Sequence, residues 1–174
     1  MWASRLYDHY QKNLCTLFNK VPGLTQNFEK TIWASSAFNL SPQTVCRIHR
    51  DSKDLLYSLC AVTALGDFDY KTGSHLVLDK MKLAIQFSPG STILLPSATV
   101  AHGNSAISEG ERQYLFTQYT SRSLFHWVEN GFITVAEYEK RLQAAAMEEE
   151  QARIRERLLH GAEFYFSLEE LQAI

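Results

Sequence analysis

The residues best suited to chemistry in this chain end the run Thr44-Val45-Cys46-Arg47-Ile48, where His49-Arg50-Asp51 sets an imidazole and a carboxylate two positions apart. In a strand, side chains at i and i+2 share a face, so the two groups would project towards one point. Both are good metal ligands. An Fe(II) site of the two-histidine, one-carboxylate kind needs one further imidazole and leaves positions open for a bidentate cosubstrate and O2. His102 is the best candidate, because it ends the apolar segment Thr99-Val100-Ala101 just before a Gly103-Asn104 turn, where strand-end residues line the mouth of a β-barrel. Ten residues on, Arg112 enters Gln113-Tyr114-Leu115-Phe116-Thr117-Gln118-Tyr119. A guanidinium fork there could bind the distal carboxylate of a dicarboxylic keto acid in two parallel hydrogen bonds, which Lys could not reproduce. Period-two alternation means that Arg112 and Gln113 cannot both face the pocket, and which one does stays open.

Positioning such groups requires strands. From about residue 31, short apolar segments at 44–49, 59–66, 75–87, 92–95, 98–102 and 113–119 are separated by turn signals such as Ser88-Pro89-Gly90-Ser91, which predicts a β-rich middle. Before it, Leu6, Tyr10, Leu14, Leu17 and Phe18 fall at helical spacing over residues 5–19, with Pro22-Gly23 as the stop. After it, Leu124, Trp127 and Val128 resume the helical period ahead of Gly131. Thr134 and Glu137 form a capping box for a long helix from Val135 to about His160, with Gly161 as its C-cap, and Ser167-Leu168-Glu169-Glu170 opens a last short helix. The predicted fold class is α+β with a mainly β core: a double-stranded β-helix, or jelly-roll, with flanking N- and C-terminal helices. The expected divisions are a helical flank at 1–34, the β domain at 35–132 and a helical extension at 133–174.

The chain has 174 residues, 45% of them apolar and 21% charged, which excludes a mostly disordered or collagen-like protein and allows a real core. No apolar run approaches the roughly 18 residues of a membrane span, and the start lacks the apolar stretch of a signal peptide, so an intracellular location is expected. Cys15, Cys46 and Cys60 are odd in number and widely spaced, which fits buried free thiols better than a disulfide framework or a metal knuckle. The formal net charge of -2 and the absence of a Lys/Arg run mean that charge alone does not announce a nucleic acid partner.

Ligand pair, about fifty residues, ligand His, ten residues, Arg: this order points to a double-stranded β-helix oxygenase using iron and 2-oxoglutarate. The wider pattern resembles the fungal branch of the TET/JBP dioxygenase family. The similar residues are Phe38-Asn39-Leu40, His49-x-Asp51, Cys60-Ala61-Val62-Thr63-Ala64-Leu65-Gly66, Gly73-Ser74-His75-Leu76, Pro89-Gly90-Ser91, Pro96-Ser97-Ala98, His102-Gly103-Asn104 and Thr117-Gln118-Tyr119. The resemblance covers about residues 35–132 and implies oxidation of the methyl group of 5-methylcytosine, or a related methylated base, in DNA. By position, His49, Asp51 and His102 would hold Fe(II), Arg112 or Gln113 would contact 2-oxoglutarate, and Asp54, His75 and Asn104 would approach the base. Decarboxylation of 2-oxoglutarate to succinate would accompany the oxidation, and a DNA substrate would imply a nuclear location. The family usually has Arg-x-Ser where Arg112-Gln113-Tyr114 stands, Asn where Asp54 stands, and Gly where Ser74 stands. Those departures favour an alternative, a degenerate module that keeps the fold and binds a metal or a partner without catalysis. A third option is a jelly-roll metal enzyme that needs no keto acid.

Overall fold

A computed structural model describes residues 3–141 and 144–173. Two compact units result: residues 1–34 with 121–174, and residues 35–120.

The first unit is helical, comprising α1 (Ser4–Lys20), α2 (Arg122–Glu129), α3 (Val135–Arg141), α4 (Ala144–Glu163) and α5 (Leu168–Gln172). Helix α1 buries Leu6, Tyr10, Leu14 and Leu17 along one stripe, each side chain contributing about 1.5–3 kcal/mol. Phe125 of α2, fully buried, meets the Tyr10 ring edge-on at 5.1 Å. The His9 ring stacks on Phe125 at 5.3 Å and lies 4.5 Å from Phe164. Both expected capping boxes form: the Thr134 hydroxyl accepts from the Glu137 backbone N–H while the Glu137 carboxylate accepts from that of Thr134, and Ser167 pairs with Glu170 in the same way. Glu170 also receives the Arg5 guanidinium at 2.7 Å. The expected long helix is described as α3 and α4, and residues 142 and 143 lie outside the described residues. Gly161 does not cap α4; it is buried within that helix, which continues to Glu163. Cys15 is exposed rather than buried, because it lies off the apolar stripe of α1.

Burial among aromatic rings, reinforced by the charges of His160 and Lys12, pushes the His9 pKa down from 6.5 to about 4. A histidine held neutral in the fold destabilises it once the unfolded chain can take up a proton. Stability is therefore complete above pH 6.5 and falls as the pH drops from about 6.5 to about 4, by a few kcal/mol. Urea unfolding at a series of pH values should show that slope, and His9→Phe should remove most of it; an unchanged slope in the variant would place its source elsewhere.

The second unit contains β1 (Ser35–Asn39), β2 (Cys60–Asp67), β3 (Leu76–Leu78), β4 (Leu83–Ile85), β5 (Thr92–Leu95), β6 (His102–Asn104) and β7 (Arg112–Tyr119). These form two antiparallel sheets, ordered β1-β7-β2-β5 and β4-β3-β6. From β2 onwards the chain passes from the larger sheet to the smaller and back twice, as a double-stranded β-helix does. The core comprises Cys60, Val62 and Ala64 from alternate positions of β2 with Phe68, Leu76, Leu78, Phe87, Leu95 and Leu115. Ala64 is fully buried.

Two expected strands are not formed as such. Residues 44–49 are irregular and meet the sheets through an isolated bridge, His49 to His102, and through single backbone bonds, Thr44 N–H to the Gln113 carbonyl at 3.5 Å and Asn104 N–H to the Cys46 carbonyl at 3.1 Å, with Gln43 bridging Gln113 just before them. Two more of their backbone groups go to one side chain: Asn104 Oδ1 accepts from the Cys46 N–H at 2.6 Å, and its Nδ2 donates to the Thr44 carbonyl at 2.8 Å. In the 98–102 segment, Thr99 and Val100 donate their N–H groups to the Pro96 carbonyl and make a turn. His102 therefore begins a strand rather than ending one, and Gly103-Asn104 is strand, not turn.

Candidate metal centre

Each of the three converging side chains is held by the backbone beneath it. His49 and His102 form a reciprocal antiparallel pair: the His49 N–H donates to the His102 carbonyl at 2.9 Å, and the His102 N–H donates back at 3.0 Å. Directly opposed residues put their side chains on one face, and the two rings lie 4.5 Å apart between centroids. Asp51 is fixed by its own N–H, which donates to the Ser97 carbonyl at 3.0 Å. Gly103 permits this approach, since a Cβ there would come within 2.6 Å of the Cys46 carbonyl oxygen.

The protonation pattern follows from hydrogen bonding. His49 Nδ1 lies 2.8 Å from the Arg47 carbonyl oxygen and His102 Nδ1 lies 2.9 Å from that of Val100. A carbonyl can only accept, so Nδ1 is the donor in both rings, and in the neutral imidazole Nε2 then offers its lone pair. His49 Nε2 is 3.5 Å from Asp51 Oδ1, and one donor atom from each of His49, Asp51 and His102 lies within 4.8 Å of the others. His102 is 7% exposed, whereas the side chains of His49 and Asp51 are 45% and 35% exposed. Two neutral imidazoles and one carboxylate grouped this closely fit a divalent transition metal. They sit in a cavity of about 440 Å³, large enough for a small organic ligand beside an ion.

Asp54 also lines this cavity, is 4% exposed, and receives the Ser97 hydroxyl at 3.5 Å. Burial, followed by the charge of Asp51, raises its pKa to about 6 against the opposing Ser97 hydrogen bond. Asn104 lines the cavity too, but its amide is engaged within the chain: besides Thr44 and Cys46 it donates to Gln113 Oε1 at 3.2 Å and to the Ser105 carbonyl at 3.3 Å. His75 is half-buried and does not line the cavity; its backbone N–H donates to the Ser105 hydroxyl oxygen.

On β7 the alternation turns Gln113 inward, although neither Gln113 nor Arg112 belongs to the cavity lining. Arg112 is exposed and outside the cavity lining, while Gln113 is fully buried and Leu115, Thr117 and Tyr119 line the cavity. The Gln113 amide donates to the Ser74 hydroxyl, and Ser74 holds a left-handed φ of 57° to meet it. Tyr114 and Phe116 fall on the opposite face of β7 from Leu115, with Phe116 stacked on Phe38 at 4.8 Å.

Three residues that the sequence did not single out as site residues support the cavity: Ser97, which anchors Asp51 and Asp54, and Arg50 and Lys53, two exposed residues that belong to its lining. Pro96-Ser97 could have been found as a turn signal facing the ligand pair; Arg50 and Lys53 carry no such signal.

No family model matches the sequence, and no curated protein matches it. Among solved structures, the chain is similar to NgTET1 in complex with 5mC DNA, with 17% identity and a TM-score of 0.48 over 68% of this chain and 48% of that one. The chain thus spans about half the length of NgTET1. It is also similar to the viral collagen prolyl hydroxylase vCPH from Paramecium bursaria Chlorella virus-1, in its 2OG complex, with 15% identity and a TM-score of 0.34 over 64% of this chain and 70% of that one. The candidate centre rests on its own geometry rather than on these likenesses.

Proposed function

We propose that the chain is an Fe(II)- and 2-oxoglutarate-dependent dioxygenase acting on the methyl group of 5-methylcytosine, or a related methylated base, in DNA. The observation that carries the metal half is the pair of Nδ1–H to carbonyl bonds, which leave two Nε2 lone pairs beside the Asp51 carboxylate. Fe(II) held by these residues, with 2-oxoglutarate and O2, would supply oxidative decarboxylation to succinate and CO2, one oxygen atom of O2 going to succinate and the other to the oxidised C–H carbon.

The chain's own residues have three tasks. His49, Asp51 and His102 would hold the ion. Leu115, Phe87 and Val62 line the cavity with apolar surface, which limits water around the reacting groups. Asp54 is the substrate-side residue: its carboxylate can accept from an exocyclic amino group of a base. The substrate half of this reading draws on the sequence resemblance to the TET/JBP family. A base stacked in a duplex cannot reach the cavity, so it would have to flip out, and contacts in the cavity would offset the unstacking. A DNA substrate would also place the protein in the nucleus. Among the described residues, no helix is long and apolar enough to cross a membrane.

The outward placement of Arg112 favours a second reading, a module that binds metal without keto-acid chemistry. An anaerobic titration separates the two. Fe(II) followed by 2-oxoglutarate should give the visible charge-transfer band of the chelated complex, and product analysis on methylated oligonucleotides should then show oxidised base. Iron binding with no such band would leave only the second reading.

A further inference from the structure

We infer that the anionic end of the cosubstrate is held from the 50–53 segment, by Arg50 and Lys53, and not from β7. This rests on the keto-acid reading above and assigns the ligand subsite within it. Three observations support it.

First, β7 offers no cation to the cavity. Arg112 is exposed and outside the lining, and the inward place belongs to Gln113, a neutral amide already engaged with Ser74 and Asn104. An anion directed there would meet no positive charge and would have to displace a buried network.

Second, Arg50 and Lys53 both line the cavity, flanking Asp51 in sequence. Among the described residues neither side chain has an ion-pair partner, although Asp51 and Asp54 line the same cavity. Their positive charges are therefore available to a ligand.

Third, the charges balance for a dianion. Arg50 and Lys53 match the carboxylates Asp51 and Asp54 in number, so a bound divalent ion leaves the cavity positive. A keto acid with one carboxylate on the metal and a second at its far end matches that surplus. A monocarboxylic keto acid of similar size uses only the metal-side contact. Arg50 can take the far carboxylate bidentately, and Lys53 adds a point charge.

The test is an anaerobic titration of the Fe(II)-loaded chain with 2-oxoglutarate and, separately, with 2-oxobutyrate. It follows the visible band and calorimetric affinity in wild type, in Arg50→Met with Lys53→Met, and in Arg112→Ala. The double variant should bind 2-oxoglutarate about 10- to 100-fold more weakly, as expected for loss of a charge-assisted contact. Its affinities for Fe(II) and for 2-oxobutyrate should stay within about threefold of wild type. Arg112→Ala should match wild type throughout. The inference is overturned if Arg112→Ala alone weakens 2-oxoglutarate, or if the double variant loses both keto acids equally. It is likewise overturned if the double variant keeps 2-oxoglutarate but loses affinity for a methylated oligonucleotide, which would assign the two cations to phosphate. A wild-type chain that binds Fe(II) but chelates neither keto acid would overturn the dioxygenase reading, and this subsite with it.

Discussion

Replacing His102 with alanine should abolish tight metal binding while leaving the β unit folded. The imidazole is the most buried of the three candidate ligands, 7% exposed, and its Nδ1–H is already given to the Val100 carbonyl, so Nε2 has no other evident task. The backbone pairing with His49 uses main-chain atoms and survives the substitution. Loss of a hydrogen bond that merely orients a ligand weakens a metal site by about 10- to 100-fold, so loss of the ligand itself should exceed about 100-fold. Titration with Fe(II), or with Co(II) as a coloured surrogate, gives the number. His75→Ala is the control, because that histidine lies outside the cavity and its substitution should leave affinity unchanged. Retention of wild-type affinity in His102→Ala would remove the metal centre from consideration.

Asn104→Ala should be the most destabilising polar substitution near the site, and it should weaken metal binding as well. One amide serves the Cys46 N–H, the Thr44 and Ser105 carbonyls and the Gln113 side-chain oxygen, so its removal leaves four groups without this partner in or beside the core. At about 1–3 kcal/mol for each group left unsatisfied in a buried setting, the loss should reach about 3–5 kcal/mol. The irregular 44–49 segment keeps only single backbone bonds and the His49–His102 pair, so the position of His49 relative to His102 should loosen, with metal affinity falling by about 10- to 100-fold. Urea unfolding and metal titration of the same variant measure both effects. A destabilisation under about 1 kcal/mol would mean that the segment is anchored elsewhere.

The particular residues show what could be read in advance. The spacing His49-x-Asp51 was legible because chain proximity alone brings those groups near each other, and His102 because a polar residue beside an apolar run and a glycine stands out. The convergence was thus readable although the local conformations were not. Segment 98–101 is apolar enough for a strand, but Pro96 supplies a carbonyl that two following N–H groups share, and the segment turns. Segment 44–49 lost its strand to a side chain some sixty residues away, a pairing with no local signature. On β7, apolar groups occupy both faces, Tyr114 and Phe116 on one and Leu115 on the other, so periodicity could not decide between Arg112 and Gln113. Burial decided it. The helical flanks were easier, since capping boxes and a single apolar stripe are local properties.

Ser74 ties two distant positions into one unit of change. Its left-handed backbone disfavours a side chain by about 1–2 kcal/mol, and mutation to glycine would relieve that. The same mutation would strip the buried Gln113 amide of its acceptor, at about 1–3 kcal/mol. Conversely, restoring a cation at position 113 would bury a charge against a hydroxyl that is a poor counterion. The two effects of glycine at position 74 nearly cancel, whereas a cation at position 113 alone is unfavourable, so the two sites are coupled. Descendants of this chain should keep Ser74 and Gln113 together or exchange both.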